Sequence, residues 1–221
     1  MASLAARLAA SGTPVFRYDR RGIGDSGGQN RGFLDSAPDI ASAAATFAAE
    51  TGIQRLVAFG NCDAATALAL FHGVAGIDAL ILANPWVIDD ADDLPPTAAI
   101  RARYAARLRD PKQWLRLLRG GVNISKAFKG LSKVVTADSS ESNDLGDRLI
   151  EALATCRIPV TILLAKRDNS AMAFRAMWQA SRTADATALI EERDTASHSF
   201  ATQADKAWLL GQVQAALSRV P

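Results

Sequence analysis

Three side chains in this sequence are of the types that acyl-transfer chemistry requires, and they occur in the order nucleophile, acid, base. Cys62 can supply a thiolate, His198 can take and return its proton, and Asp168 can orient the imidazole and stabilise its charged form. The chain has two histidines, and the other, His72, follows Cys62 by about three helical turns. His198 is therefore the base that the sequence offers.

The segment around Cys62 has the pattern of a strand that turns abruptly into a helix. A β-prone run that starts at Val57 ends at Gly60, and small residues open a helical pattern after Cys62. This is the layout of a nucleophile elbow, G-x-S-x-G in its usual form, with a cysteine as nucleophile and Ala64 in place of the second glycine. The alternative is a small buried cysteine at a strand end.

The neighbours of Cys62 have predicted roles in binding the substrate and its oxyanion. The N–H of Asp63 is placed to donate to an oxyanion, and Asn61 is a candidate contact of the oxyanion or substrate. The helix N-terminus favours a thiolate at Cys62, whereas the Asp63 carboxylate disfavours one because like charges repel. Gly22 and Gly24 lie in a glycine-rich loop without P-loop or dinucleotide spacing, which predicts a turn close to the elbow.

Other interpretations of the acid, the base and the second cysteine stay open. Asp168 could cap the helix that follows it or lie in a solvated loop. Asp89 and Asp90 follow an earlier strand and are rival acids, because the acid can come from more than one strand end. His198 could be a surface loop residue. Cys156 precedes a strand and is expected to be structural.

Composition restricts the class of protein. The chain has 221 residues, 49% of them hydrophobic and 22% charged, which suits a globular domain with a sizeable core. A net charge of +2 gives no general attraction for nucleic acid, and no run of 18 apolar residues predicts a membrane span. Two cysteines do not make a disulfide framework, so we expect a reducing, cytoplasmic location. No metal-binding spacing is present, and no cofactor is expected.

Strand and helix patterns alternate along the chain. Strands are predicted at 14–18, 55–59, 79–83, 158–165 and 187–191. Helices are predicted at 1–10, 34–50, 63–73, 171–182 and 204–219. This alternation predicts an α/β fold with a mostly parallel sheet and helices on both faces. In such sheets the chemistry collects at the carboxyl ends of the strands, where Cys62, Asp168 and His198 fall.

The range 87–153 has helical stretches and no strand pattern. We therefore expect one domain over 1–221, with 87–153 inserted as a helical cap above the site. The range carries a basic stretch that could attract an anionic substrate: Arg101, Arg103, Arg107, Arg109, Lys112, Arg116 and Arg119. The alternative is the solvated face of amphipathic helices.

Several motifs together resemble a known family. Residues 18–26 (YDRRGIGDS) look like the D-x-R-G-x-G-x-S loop of α/β-hydrolases, whose triads follow the same chain order. Residues 60–65 (GNCDAA) and 83–87 (ANPWV) resemble the exosortase A system-associated hydrolase 1 family. Segments 114–120 and 128–131 are similar to the cap region of that family, so the resemblance covers essentially the whole chain.

The resemblance implies an α/β-hydrolase fold and a cytoplasmic hydrolase encoded beside an exopolysaccharide and protein-sorting system. With the Cys-Asp-His order, it predicts cleavage of a small-molecule acyl ester or thioester. The family's fold has three further strands before the helix at 1–10 and an oxyanion donor in the loop after the third, so we expect an N-terminally shortened chain. The alternative is a non-catalytic binding or scaffold protein, inactive because that part is missing.

Overall fold

The computed structural model describes residues 1–88, 144–181 and 188–220. Its centre is a parallel sheet whose four described strands lie side by side in chain order. They are β1 (Val57–Asn61), β2 (Ala79–Ala83), β3 (Val160–Ala165) and β4 (Leu189–Arg193). The register pairs Asn61 with Ala83 and Ala83 with Leu163, so the carboxyl ends of neighbouring strands meet at one edge.

Helices cover both faces of the sheet. They are α1 (Ala2–Ala10), α2 (Ala37–Thr51), α3 (Asp63–Phe71), α4 (Asp144–Ala154), α5 (Asn169–Ala180) and α6 (Gln203–Leu217), with short 3₁₀ helices at Phe33–Asp35 and His72–Val74. Residues of α2 to α5 pack on the face that carries Leu80 and Leu82, and residues of α1 and α6 pack on the face that carries Ile81 and Leu163. This arrangement confirms the predicted fold class.

The two central strands are buried along their whole length. Every residue of β2 and β3 is buried, because alternate side chains of each strand enter the two opposite cores. Strands covered on both sides are apolar throughout, which is why their pattern was visible in the sequence. The strands predicted at 55–59, 79–83, 158–165 and 187–191 are confirmed, with bounds shifted by at most two residues.

The prediction of a strand at 14–18 is wrong. Among the described residues, this segment makes no backbone hydrogen bond to a strand, and β1 has β2 as its single neighbour. Phe16 is 45% exposed, and its ring stacks on Phe47 of α2 with a centroid separation of 5.7 Å. An apolar extended run becomes a strand only when a neighbouring strand supplies matching backbone groups. Here aromatic packing holds the segment instead.

Much of the predicted cap falls on residues 89–143, which lie outside the described residues. The rival acids Asp89 and Asp90 and the basic stretch from 101 to 119 lie there as well. Within the remainder of 87–153, α4 buries Leu149 and Leu153 in the core beneath the sheet. None of the helices in the described ranges is both long enough and apolar enough to cross a membrane.

Candidate active site

Cys62 occupies a strained turn between β1 and α3. Its φ of 62° and ψ of −125° lie in a region that side-chain-bearing residues rarely adopt. Backbone hydrogen bonds hold the turn: the Cys62 N–H donates to Ala83 O at 2.9 Å, and Cys62 O accepts from the N–H of Ala65 at 3.0 Å. The predicted change from strand to helix therefore occurs at Cys62, with the strain that a nucleophile elbow carries.

Close backbone packing explains the glycine two residues before Cys62. A Cβ atom at Gly60 would lie 2.7 Å from backbone atoms of Ala64 and Ala65, closer than real Cβ contacts come. No side chain fits there unless the strand and the helix move apart. Ala64, which stands where the usual pattern has a second glycine, is exposed and has room for its methyl group.

Asp63 opens α3 directly after Cys62. As the first residue of the helix, its N–H has no acceptor within the helix, which leaves it available beside Cys62. Its carboxylate accepts from the Ala64 N–H at 2.8 Å and lies 4.0 Å from the guanidinium of Arg20. This contact places the glycine-rich loop close to the elbow, which is the proximity that the sequence predicted.

The two oxygens of Asp168 make different contacts. Oδ1 accepts from the N–H groups of Ser170 at 3.1 Å and Ala171 at 3.2 Å, which caps α5. Oδ2 lies 3.0 Å from Nδ1 of His198. Burial works against the charged carboxylate, but the hydrogen bonds from His198 and from the two amides outweigh it and lower the pKa of Asp168. Capping and imidazole binding are thus both present, in one side chain.

His198 is a much stronger base than an ordinary histidine. Its hydrogen bond with Asp168, followed by one with the Cys62 side chain, raises the pKa of His198 to about 10, although partial burial opposes the shift. Because Nδ1 faces Asp168, Nε2 is the ring nitrogen left for the thiol. The structure therefore brings all three predicted side chains, Cys62, Asp168 and His198, together at the carboxyl edge of the sheet.

A buried carboxylate that the sequence interpretation missed shapes the chain between β4 and His198. Asp205, at the start of α6, accepts from Arg193 Nε at 3.0 Å and from Thr195 Oγ1 at 2.9 Å. Thr195 Oγ1 in turn accepts from the N–H of Ser197 at 3.1 Å, one residue before His198. The T-x-x-D pattern of Thr202 and Asp205 signals a helix start but does not reveal these contacts.

Asn84, directly after β2, is a second residue that the sequence interpretation did not single out. It is fully buried at 0% exposure. Its Oδ1 accepts from the N–H of Ala165 at 2.8 Å, and its Nδ2 donates to His198 O at 2.9 Å and to Asn61 Oδ1 at 3.3 Å. The two backbone partners fix which end of the Asn84 amide is the donor. The Asn61 oxygen therefore accepts from Asn84, which fixes that end of the Asn61 side chain one residue before Cys62.

The other cysteine and histidine contact each other elsewhere. Sγ of Cys156, between α4 and β3, lies 3.6 Å from Nε2 of His72, which follows α3. Nδ1 of His72 lies 2.9 Å from the carbonyl oxygen of Ala69. In the part of the chain that the structure describes, no three His, Cys, Asp or Glu side chains converge as metal ligands.

Comparisons with known proteins agree with this architecture. Alpha/beta hydrolase domain-containing protein 10 from mouse has a TM-score of 0.57 at 14% identity, over 100% of this chain and 84% of its own. A hydrolase from Pseudomonas aeruginosa PA01 has a TM-score of 0.54 at 19% identity, with coverages of 98% and 84%. An esterase from Rhodococcus sp. ECU1013 has a TM-score of 0.51 at 16% identity, with coverages of 97% and 85%. These likenesses show the fold alone.

Sequence comparison assigns the family. No curated protein matches the chain by sequence. The model of the family described as serine aminopeptidase, S33, matches residues 1–139, which is more than half of the chain and includes the elbow at Cys62. Together with the parallel sheet and its helices, this match shows that the chain belongs to the serine aminopeptidase S33 family of α/β-hydrolases.

Proposed function

We propose that this member of a hydrolase family cleaves small acyl esters or thioesters with Cys62 as nucleophile, His198 as base and Asp168 as the residue that orients His198. The single observation that carries the proposal is the 3.0 Å contact of Asp168 with a histidine whose pKa is raised to about 10 beside Cys62. The family description names a serine enzyme, whereas the elbow here holds a cysteine. A thiol in that place can form the same kind of acyl intermediate.

The first half-reaction transfers the acyl group to sulfur. His198 Nε2 accepts the Cys62 proton, and an imidazole of pKa about 10 is a stronger base than an ordinary cysteine thiolate. The thiolate then attacks the acyl carbonyl, and the N–H of Asp63 donates to the oxyanion that forms. The bond from the carbonyl carbon to the leaving oxygen or sulfur breaks, and the leaving group takes the proton from His198. The product is a thioester on Cys62.

The second half-reaction returns the enzyme to its starting state. A water molecule gives a proton to His198 as its oxygen attacks the thioester carbonyl. The carbon–sulfur bond breaks, the acid leaves, and Cys62 and His198 again share one proton. Asp168 stays ionised throughout, since its lowered pKa favours the carboxylate that balances the imidazolium. The NH₂ group of Asn61 serves as a further donor to the substrate.

Other parts of the proposal rest on the sequence. Residues 87–153 would cover the site as a cap and supply cationic side chains to an anionic acyl substrate. Association with an exopolysaccharide and protein-sorting system, and a cytoplasmic location, rest on the family resemblance of segments 60–65 and 83–87 and on the cysteine content. Loss of the gene in its source organism should then change exopolysaccharide output or sorting of exported proteins. An unaltered output and sorting pattern would remove this part of the proposal.

The experiment is hydrolysis of short acyl ester and thioester probes by the chain and by Cys62→Ala, with Cys156→Ala as the matched control. Cys62→Ala should lower kcat/KM by at least about 10³-fold, whereas Cys156→Ala should leave it nearly unchanged. Probe hydrolysis that survives in Cys62→Ala would refute the cysteine mechanism. Folded wild-type protein with no hydrolysis of any probe would instead favour a non-catalytic binding module.

A further inference from the structure

A single buried side chain connects the ends of three segments that carry the proposed catalytic residues. Asn84 donates to the side chain of Asn61, one residue before Cys62, and to the backbone oxygen of His198 itself. It also accepts from the N–H of Ala165, three residues before Asp168. Asn84 itself is 0% exposed, so its amide is shielded from solvent, and loss of these bonds would leave a buried polar group without partners.

We infer that Asn84 is a positioning residue that sets the placement of His198 relative to Cys62 and Asp168. The inference rests on the proposed function and deepens it, because Asn84 itself touches none of the reacting atoms. An α/β-hydrolase brings its nucleophile, acid and base from separate strand ends, and those ends must be held in fixed positions relative to one another. The Asn84 amide links them through three hydrogen bonds.

The chemistry of the position accepts few other residues. The bonds to His198 O and Asn61 Oδ1 need a donor with two hydrogens, and the bond from the Ala165 N–H needs an acceptor. A primary amide provides both, whereas a carboxylate or an alkyl group does not. The φ of Asn84 is 43°, in the left-handed region that asparagine and glycine tolerate best. Asn84→Asp keeps the shape but removes both donors, leaving His198 O and Asn61 Oδ1 without this partner.

A displaced His198 loop has a defined chemical consequence. The His198 ring reaches Cys62 on one side and Asp168 on the other, so a small shift of its backbone weakens both contacts together. Misplacement by about 1 Å can cost about 10²-fold in rate. The same shift moves the positively charged imidazolium away from Cys62, and a nearby positive charge is what favours a thiolate.

The test uses the full chain and needs no natural substrate. Alkylation of Cys62 by iodoacetamide is followed against pH by peptide mapping in wild type, His198→Ala, Asn84→Asp, Asn84→Gly and Leu82→Ala. Glycine adopts the positive φ of position 84 without strain, so Asn84→Gly removes the amide while the backbone keeps its conformation. Leu82, two residues before Asn84 and 0% exposed, is the matched control for loss of a buried side chain.

We expect both Asn84 variants to move the midpoint of Cys62 alkylation to higher pH, towards that of His198→Ala, and to lower kcat on an acyl ester probe by about 10- to 10²-fold with little change in KM. Leu82→Ala should lower stability but leave the midpoint in place. An unmoved midpoint in the Asn84 variants, or an equal shift in Leu82→Ala, overturns the inference. If His198→Ala and wild type share one midpoint, the proposed function itself fails.

Discussion

The two cysteines of this chain each have a histidine neighbour, but the two pairs differ in what lies around them. Cys62 and His198 meet at the carboxyl edge of the sheet, where the pKa of His198 is raised to about 10 by Asp168 and then by Cys62. Cys156 and His72 meet where the chain enters β3, at a distance of 3.6 Å. A thiol next to an imidazole is therefore common to both regions.

The surroundings separate the two pairs chemically. Nδ1 of His198 faces a carboxylate, whereas Nδ1 of His72 faces the carbonyl oxygen of Ala69, which carries no full negative charge. Cys62 has a positive φ and precedes a helix N-terminus, and Cys156 follows a helix instead. The comparison teaches that the proposed nucleophilic role of Cys62 rests on the carboxylate and the strained turn more than on the thiol–imidazole contact.

Removal of either histidine gives the largest expected contrast between the pairs. His198→Ala should lower kcat/KM for an acyl ester probe by about 10²- to 10⁴-fold, because the base that takes and returns the proton is lost. His72→Ala should stay within about twofold of wild type, because its ring contacts a structural thiol. Steady-state kinetics on matched protein preparations measures both. Equal losses in the two variants would erase the difference between the pairs.

Two substitutions at Asp168 separate its proposed role in catalysis from its role in capping α5. Asn caps helices about as well as Asp, so Asp168→Asn should keep α5 capped but lower kcat by about 10² to 10⁴-fold through loss of the charge behind His198. Asp168→Ala should lose similar activity and a further ~1 kcal/mol of unfolding free energy with the cap. Kinetics together with urea unfolding distinguishes the two. An active Asp168→Asn would leave the carboxylate with capping as its one role.

Glycine-to-alanine substitutions compare how tightly the backbone is packed near Cys62 and near His72. Gly60→Ala should cost about 1–3 kcal/mol of unfolding free energy, since the new methyl group meets backbone of α3 at 2.7 Å. Gly73→Ala, beside His72, should be nearly neutral because a Cβ there meets nothing within 4 Å. Chemical denaturation measures both. A tolerated Gly60→Ala would mean that the elbow is looser than its geometry indicates.

Stability should depend on pH through His198. Its pKa rises from 6.5 to about 10 on folding, so its stabilising contribution is complete below about pH 6.5 and is lost as pH rises through about 10. The difference in unfolding free energy between wild type and His198→Gln should therefore shrink across that window. In an Asp168→Asn background the slope should flatten, because Asp168 is the largest cause of the shift. A pH-independent difference would contradict the ion pair.

Features encoded locally could be predicted from the sequence. The continuous apolar runs of β2 and β3 revealed doubly covered strands, and Gly60 followed by Cys62 revealed the elbow. The order of Cys62, Asp168 and His198 was sufficient to predict three side chains that the fold brings together. For the strands and the elbow the signal lies within a few residues of the feature, whereas the three side chains were predicted from their order along the chain.

Features that depend on distant partners could not be predicted in this way. Asn84 and His198 are 114 residues apart in the chain, and a lone asparagine after a strand carries no local sign of such a bond. The contacts of Asp205 with Arg193 and Thr195 are hidden for the same reason. Segment 14–18 has the composition of a strand, but pairing depends on a neighbour that its own residues do not specify.

The most direct test of the central claim is to trap the acyl intermediate. The protein is mixed with an activated short-chain acyl ester, quenched in acid within the first turnovers, and digested for mass spectrometry of the peptides that carry Cys62 and Cys156. The account predicts acyl mass on the Cys62 peptide, absent from the Cys156 peptide and lost in His198→Ala. Equal acylation of both cysteines, or ester hydrolysis with Cys62 unmodified, would contradict it.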